Sequence, residues 1–272
     1  MLFGMSRFWS TLSRHIWLFR LLFFLKHPAR EIKSFLLPLI PYQSPSVGSE
    51  AGFHGDLVYQ KCVALLLEIV PFTVAVETGT WQGNSTVFMS EHFKKQIITC
   101  EVIGMYYREC KLKLRNIENI KIIEGSSPSV LEDVTRDSQL FETPFFFLDA
   151  HWFDYWILEE ELKILGGLKK WVAVIDDFEV PDRPEFKYDK WTRGDQEIKN
   201  SFQFIKPLLV SRGANFNFLV PNYNEEKIQN NIDQKHTLRG HVVIFKNLRQ
   251  EFLRFATEDF VEQHYSDFDP RH

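Results

Sequence analysis

Acidic side chains end five short apolar runs of this sequence. They are Glu77, Glu101, Glu124, Asp149 and the adjacent pair Asp176 and Asp177. A carboxylate placed directly after a buried strand is costly unless it is hydrogen-bonded, paired with a cation or bound to a metal ion. One such acid could cap a helix, but acids at five successive strand ends indicate a binding site along one edge of a sheet.

The spacing of these acids indicates two kinds of chemistry. Glu101 follows Glu77 by 24 residues, which is about the separation at which a carboxylate accepts hydrogen bonds from a ribose diol in nucleotide-binding folds. Asp149, Asp176 and Asp177 are hard oxygen ligands on two neighbouring strands, which suits Mg²⁺ or a similar ion. In the alternative interpretation, Asp176 or Asp177 only caps the turn that follows it.

Residues 73–87 have the pattern of a strand, a glycine-containing turn and a helix N-terminus. An apolar run ends at Glu77, and Gly79 and Gly83 follow in the turn. Glycine lets the backbone approach a ligand, and the first N–H groups of a helix point into the gap. An ordinary βα loop is the alternative. A nicotinamide-dependent oxidoreductase needs G-x-G-x-x-G at this point, and Gly79 and Gly83 do not meet that pattern.

Strand and helix patterns alternate along most of the chain. The predicted strands are residues 73–77, 96–101, 120–124, 145–149, 172–175, 216–220 and 241–245. We therefore expect an α/β fold with a Rossmann-like, doubly wound, mostly parallel seven-stranded sheet and an antiparallel last strand. Ligands of such sheets bind at the carboxyl ends of the strands.

The composition is that of a folded protein with reduced cysteines. Of the 272 residues, 44% are hydrophobic and 15% aromatic, so a disordered chain is excluded. A net charge of −4 gives no reason to expect nucleic-acid binding. The three cysteines form no CxxC pair, and Cys62 and Cys100 lie in apolar patterns typical of core thiols. We expect a cytoplasmic location.

The N-terminal residues differ from the rest of the chain. Residues 1–40 form a basic, aromatic-rich amphipathic segment that is too short in its apolar runs to span a bilayer and lacks a cleavage site. Residues 1–35 could lie on the inner face of a membrane as a peripheral helix, or pack on the domain or on another subunit of a homo-oligomer. We expect a linker over 41–55, the main domain over 56–250 and a tail over 251–272.

Five segments resemble, in order, the motifs of class I S-adenosylmethionine-dependent methyltransferases. They are ETGTWQGNSTV, TCEV, EGSSPSVL, FFLDAHW and VIDDF. The most similar type is the metal-dependent O-methyltransferases of catechols or macrolide sugars. The resemblance covers residues 56–181 and, weakly, the last two predicted strands. Each motif is loose by itself, but five of them in the same order and spacing are fairly specific, so the main domain is expected to be a methyltransferase domain.

The resemblance implies S-adenosylmethionine as the cofactor and a role for each matching residue. Glu77 closes the pocket behind the methionine end of the cofactor, Gly79 lies beneath the cofactor, and Glu101 holds the ribose. The other implied cofactor-binding residues lie along its methionine and adenine parts, and they are Trp81, Ser85, Ser126 and Asp149.

The resemblance also implies a divalent metal ion, with Mg²⁺ expected, bound by Asp149, Asp176 and Asp177. The catechol enzymes carry a lysine general base just after the acid of strand four, and this chain has no lysine there. His151, whose ordinary pKa is near 6.5, or Asp154 could take the proton instead. His151 could equally be a structural histidine. The missing lysine favours a hydroxyl of a sugar or secondary metabolite over a catechol as the acceptor.

We therefore expect methyl transfer from S-adenosylmethionine to a hydroxyl oxygen of a small-molecule acceptor, such as a glycan or sugar. The main alternative is a membrane-associated binding protein that kept the fold and lost catalysis. The missing lysine and the basic N-terminal segment favour that alternative, and the complete row of acids opposes it. A nicotinamide-dependent oxidoreductase is less favoured because a third glycine is absent from the first turn.

Overall fold

The computed structural model describes residues 20–21, 24–36, 49–150, 156–209, 214–223 and 238–270. The strands in these residues are β1 (Val74–Thr78), β2 (Ile97–Glu101), β3 (Ile120–Glu124), β4 (Pro144–Leu148), β5 (Trp171–Ile175), β6 (Lys190–Arg193), β7 (Gln196–Lys199), β8 (Phe216–Pro221), β9 (Val242–Lys246) and β10 (Tyr265–Phe268). One eight-stranded sheet has the order β10-β8-β9-β5-β4-β1-β2-β3, and β6 and β7 form a separate hairpin.

Helices connect most of these strands. They are α1 (Pro28–Leu36), α2 (Leu57–Ile69), α3 (Asn84–His92), α4 (Gly104–Lys113), α5 (Ser127–Val134), α6 (Leu158–Gly166), α7 (Phe202–Ile205), α8 (Arg249–Ala256) and α9 (Asp259–His264), with a 3-10 segment over Ser49–Gly55. Asp56 begins α2, where its side chain accepts hydrogen bonds from the N–H groups of Val58 and Tyr59 at 2.9 and 3.0 Å. No helix in the described part of the chain is long and apolar enough to cross a membrane.

The parallel half of the sheet brings the acidic strand ends to one edge. Strand β1 pairs in parallel with β2 and β4, β2 with β3, and β4 with β5. Every residue of β1, β2, β4 and β5 is buried, because helices cover both faces of a parallel sheet. That burial explains why these strands are apolar runs and do not alternate between apolar and polar residues.

The predicted α/β fold is confirmed, with one more strand than expected. Strand β9 is antiparallel to both β5 and β8, as expected for the last strand of a seven-stranded sheet. Strand β10 adds an eighth strand, antiparallel to β8. It lies in residues 251–272, which were expected to be a tail. Residues 251–268 fold onto the domain because α8 and α9 bury Phe252, Phe255 and Val261.

Two other segments differ from the sequence-based expectation. Residues 49–55 belong to the expected linker, yet Phe53 is 2% exposed and its ring lies 4.8 Å from that of Phe147. The apolar pattern of residues 198–209 predicts a helix, whereas the structure has the end of β7 followed by the short helix α7. The three cysteines are free and buried, in agreement with the expectation that Cys62 and Cys100 are core thiols.

Candidate functional site

A cavity of about 320 Å³ lies at the carboxyl ends of the parallel strands. Four of the predicted cofactor-binding residues line it, and they are Gly79, Trp81, Glu101 and Asp149. Asp177, one of the predicted metal ligands, lines it as well. The tertiary structure thus brings together residues from the ends of β1, β2, β4 and β5, which are neighbours in the sheet, as the row of acids in the sequence predicts.

Gly79 allows two strand ends to approach each other. Its φ of +85° lies in the left-handed region, and a Cβ atom there would lie 2.7 Å from the backbone oxygen of Asp149. The N–H of Asp149 donates to the carbonyl oxygen of Thr78 at 3.2 Å, which ties the same two strand ends together. A side chain at position 79 would push these ends apart and fill the floor of the cavity.

Glu101 is held by the backbone on both of its carboxylate oxygens. Oε2 accepts the N–H of Trp81 at 2.9 Å, and Oε1 accepts the N–H of Ile103 at 2.7 Å. Burial raises the pKa of Glu101, while these backbone hydrogen bonds oppose that rise. The carboxylate is therefore fixed in one orientation on the cavity wall.

The remaining predicted cofactor residues lie outside the cavity lining. Glu77 is buried at the end of β1, where it accepts hydrogen bonds from Thr86 Oγ1 and, at 2.7 Å, from Thr99 Oγ1. Burial, partly opposed by the two hydroxyls, raises the pKa of Glu77 to about 7. Ser85 is half-buried in α3, and Ser126 is buried. The next residue, Ser127, is the serine on the cavity wall.

His54 and Asp176 form a close pair beside the cavity. Nε2 of His54 lies 2.7 Å from Oδ2 of Asp176 and 3.9 Å from Oδ1 of Asp177. Burial opposes the charged imidazole, but the Asp176 charge and hydrogen bond outweigh it and raise the pKa of His54 to about 9. Burial likewise favours a protonated Asp176, and His54 reverses this and lowers the pKa of that carboxyl. At neutral pH the favoured form of the pair is therefore a protonated His54 imidazolium beside an ionised Asp176 carboxylate.

Arg239 neutralises the neighbouring acid. Its Nε lies 2.5 Å from Oδ1 of Asp177, and Nη2 donates to Oδ2 at 2.7 Å. Burial and the Asp176 charge still raise the pKa of Asp177 to about 7. Asp149 is half-buried, and loss of solvent around its carboxyl, together with Asp176 and Asp177, raises its pKa well above the ordinary value. This side of the cavity therefore concentrates negative charge that two cationic side chains balance.

A divalent cation fits the cluster that these residues form. One ligand atom each from His54, Asp176 and Asp177 lies within 4.8 Å of the other two. In addition, Oδ1 of Asp176 is buried and has no hydrogen-bond partner among the described residues, which leaves a carboxylate oxygen for an ion. Compared with the trio expected from the sequence, His54 takes the place of Asp149 in this group.

Several residues at the cavity hold an uncommon backbone conformation. Among the described residues, the non-glycine residues with positive φ include His54 at 58°, Trp81 at 44° and Asp177 at 52°, all on the cavity wall. Such conformations cost free energy and concentrate at functional sites, where the surrounding structure enforces them. The buried ring of Phe53 holds His54 in place through its contacts with Tyr59 and Phe147.

Sequence reasoning did not identify His54 or Arg239 as site residues. His54 lies in the expected linker and Arg239 at the end of a polar loop, and neither has a motif around it. The one clue to these residues in the sequence is that buried acids require cationic side chains nearby, and His54 and Arg239 can both be cationic. The predicted bases His151 and Asp154 lie outside the described residues, and so does most of the loop over 222–240.

No protein-family model and no curated protein matches this sequence. Solved structures do share its fold. A putative O-methyltransferase from Klebsiella pneumoniae is 15% identical with a TM-score of 0.50, and the match covers 79% of this chain and 96% of that one. The O-methyltransferase TomG from Streptomyces achromogenes, involved in tomaymycin synthesis and solved in complex with S-adenosylmethionine, is 14% identical with a TM-score of 0.50, covering 80% and 97%.

At these identities the likeness concerns the fold. It agrees with the sheet order, in which β1 lies between β2 and β4 and the antiparallel β9 lies between β5 and β8. The resemblance that the sequence motifs indicated is thereby confirmed at the level of architecture. This chain has the Rossmann-like fold of the class I S-adenosylmethionine-dependent methyltransferases.

Proposed function

We propose that this protein transfers a methyl group from S-adenosylmethionine to a hydroxyl oxygen of a sugar or secondary metabolite, with a divalent metal ion assisting. The observation that carries this proposal is the fixed carboxylate of Glu101 on the cavity wall. Each of its oxygens accepts one backbone hydrogen bond, and a carboxylate oxygen can accept another. A ribose diol presents two donors at the spacing of two carboxylate oxygens.

The surrounding residues suit the other parts of the cofactor. Gly79 leaves space beneath it, and the exposed ring of Trp81 stands at the rim of the cavity. Ser127 is buried and offers a hydroxyl on the wall. Ser126 and Ser127 both follow β3 and could contact the adenine edge, with the family resemblance favouring Ser126; this proposal assigns the contact to Ser127 because it lines the cavity. The bound cofactor would supply an electrophilic sulfonium methyl group.

The acceptor would bind on the side of Asp149 and Asp177. His54, Asp176 and Asp177 would hold the metal ion, which would lower the pKa of the acceptor hydroxyl and orient it. Asp149 and Asp177 would hydrogen-bond acceptor hydroxyl groups, as carboxylates commonly do with sugars. His54 is protonated in its metal-free pair with Asp176 and would release that proton on binding the ion, so the role of general base stays with His151 or Asp154. Positioning of the two reactants would supply much of the rate.

Calorimetry tests the cofactor assignment. Purified protein is titrated with S-adenosylmethionine and, separately, with NAD⁺, each in the presence of Mg²⁺. We expect saturable binding of the first and none of the second. Lack of S-adenosylmethionine binding would overturn the proposal, and binding of NAD⁺ alone would favour the oxidoreductase.

Turnover is tested next, with a panel of hydroxylated sugars and secondary metabolites and mass spectrometry of the products. A gain of one methyl group on an oxygen supports the proposal. Cofactor binding without transfer to any hydroxylated acceptor would support the alternative of a binding protein that has lost catalysis.

A further inference from the structure

The N-terminal helical segment presents its apolar side chains outward. Residues 20–21 and 24–26 are helical and lead into α1. Leu21, Phe24 and Leu25 share one face by their i, i+3, i+4 spacing, and Ile32 and Phe35 share one by i, i+3. Their exposed fractions are 39%, 42%, 64%, 56% and 62%. We call these five residues the outer stripe.

The outer stripe is a concentration of apolar surface, not ordinary scatter. Elsewhere in the described chain the exposed large apolar residues are Leu57, Trp81 and Leu253, which lie on separate elements. Single exposed apolar residues are common on protein surfaces, whereas a contiguous group marks a surface that binds a partner.

The opposite, polar face of the same segment is fixed to the domain. Ser34 is fully buried, and Arg108 of α4 donates to its Oγ from Nε at 3.0 Å and from Nη2 at 2.8 Å. Arg30 pairs with Glu109 at 3.1 Å, and Arg20 donates to the carbonyl oxygen of Val102 at 2.8 Å. A helix that packed on the domain for its own stability would bury its apolar face. Here the polar contacts fix the segment with its apolar side chains largely exposed, and the guanidinium of Arg108 lies 3.7 Å from the ring centre of Phe35.

Charge identifies the partner of this surface. Residues 1–36 contain six basic residues and one acidic residue, although the whole chain has 36 acidic residues and 32 basic ones. Arg20 and Arg30 pair with Glu124 and Glu109 of the domain, and the other four basic residues account for the positive charge offered to a partner. Aromatic and aliphatic side chains on one face with basic residues around them are typical of helices that lie in the interface of an anionic bilayer.

We propose that the outer stripe inserts into the surface of an anionic lipid bilayer and holds the protein there as a peripheral membrane protein. The attachment lies beside the cavity. Arg20 contacts Val102, Arg30 lies 5.1 Å from the ring centre of Tyr106, and both Val102 and Tyr106 line the cavity wall. The bilayer would therefore lie next to the wall of the proposed cofactor site. This inference is independent of whether methyl transfer occurs.

Vesicle flotation with the full-length protein tests this inference. One set of vesicles contains phosphatidylcholine and phosphatidylglycerol, and the other contains phosphatidylcholine alone. We expect binding to the anionic vesicles that weakens as salt is added. The double substitution Leu25→Glu with Ile32→Glu should weaken binding about tenfold or more, because it places charge in the acyl region. The matched control is Leu253→Glu, which changes an exposed leucine of α8.

A fluorescent label gives a readout that does not depend on the folding of a charged variant. The native cysteines are all buried, so a thiol-reactive, environment-sensitive dye attaches selectively to Leu25→Cys or Leu253→Cys. We expect a blue shift on anionic vesicles for position 25 and none for position 253. Wild-type protein that fails to bind anionic vesicles would overturn the inference. So would equal shifts at both positions, or a dimer in light scattering that the double substitution converts to a monomer without any loss of vesicle binding.

Discussion

The two sides of the cavity handle buried charge in different ways. On the side of β1 and β2, Glu77 and Glu101 accept hydrogen bonds from neutral donors, which are two hydroxyls and two backbone N–H groups. On the side of β4 and β5, Asp176 and Asp177 are balanced by the cationic side chains of His54 and Arg239. We call these the neutral-donor side and the ion-paired side.

The difference indicates separate tasks for the two sides. Neutral donors on rigid strands and turns fix the orientation of a carboxylate without cancelling its charge. Such a fixed carboxylate suits the recognition of one invariant ligand, such as a cofactor. Neighbouring carboxylates that are paired with cationic side chains respond to protons and to metal ions, because each bound charge changes the pKa values of the other groups in the cluster. The neutral-donor side therefore suits the cofactor, and the ion-paired side suits a metal ion and the acceptor.

The largest expected effect is the loss of cofactor affinity when Glu101 of the neutral-donor side is replaced. Glu101→Ala should weaken S-adenosylmethionine binding about 100-fold, because it removes a charged acceptor of two hydrogen bonds. Calorimetry measures the change, and the control is Glu124→Ala, since Glu124 pairs in register with Glu101 on the edge strand. A loss of Mg²⁺ binding larger than the loss of cofactor binding would contradict the division between the two sides.

Gly79→Ala should disturb both the neutral-donor side and the ion-paired side, because Gly79 lies where the ends of β1 and β4 meet. The new Cβ would contact the Asp149 backbone oxygen, and the residue would keep a positive φ. We expect the free energy of unfolding to fall by about 2 kcal/mol, measured by urea denaturation. Gly166→Ala is the control, because a Cβ there meets no atom within 4 Å. Equal stabilities of the two variants would show that the close approach is unimportant.

A divalent ion should stabilise the folded protein by binding to the ion-paired side. At about ten times its Kd, Mg²⁺ or Mn²⁺ should add about 1.4 kcal/mol to the free energy of unfolding, seen as a higher melting temperature. Asp176→Asn should abolish this shift, whereas Asp267→Asn, on the exposed edge strand β10, should retain it. Stabilisation that persists in Asp176→Asn would place the ion elsewhere.

The smallest effect concerns pH in protein kept metal-free with a chelator. The folded-state pKa of His54, about 9, lies above its ordinary value of 6.5. The pair with Asp176 therefore contributes its full stability below about pH 6.5 and loses it as the pH rises through 9. The side chain is 35% exposed, so solvent screening limits the loss to about 1 kcal/mol. His54→Gln should remove this slope, measured by denaturation at several pH values, and an unchanged slope would assign it to other groups.

The parts of the fold and site that the sequence predicted are those with strong local patterns. The five parallel strands were recognised because each is a mostly apolar run that ends at an acid or a turn, and four of them are fully buried. The sequence singled out Gly79, Glu101, Asp149 and Asp177, which line the cavity, because they lie at or directly after the ends of those runs. Strand β10 was missed because Tyr265–Phe268 is short and lies at the sheet edge, with one buried residue.

Local sequence thus determined the row of carboxylates at one sheet edge, since strands and parallel pairing follow from apolar periodicity and βα alternation. Only the tertiary structure decided what balances those charges. His54 pairs with Asp176 across 122 positions of the chain, and Arg239 pairs with Asp177 across 62. Electrostatic partners of this kind depend on distance in space, and a single sequence records only distance along the chain. The outward orientation of the outer stripe was decided in the same way, by the polar contacts that α1 makes with α4.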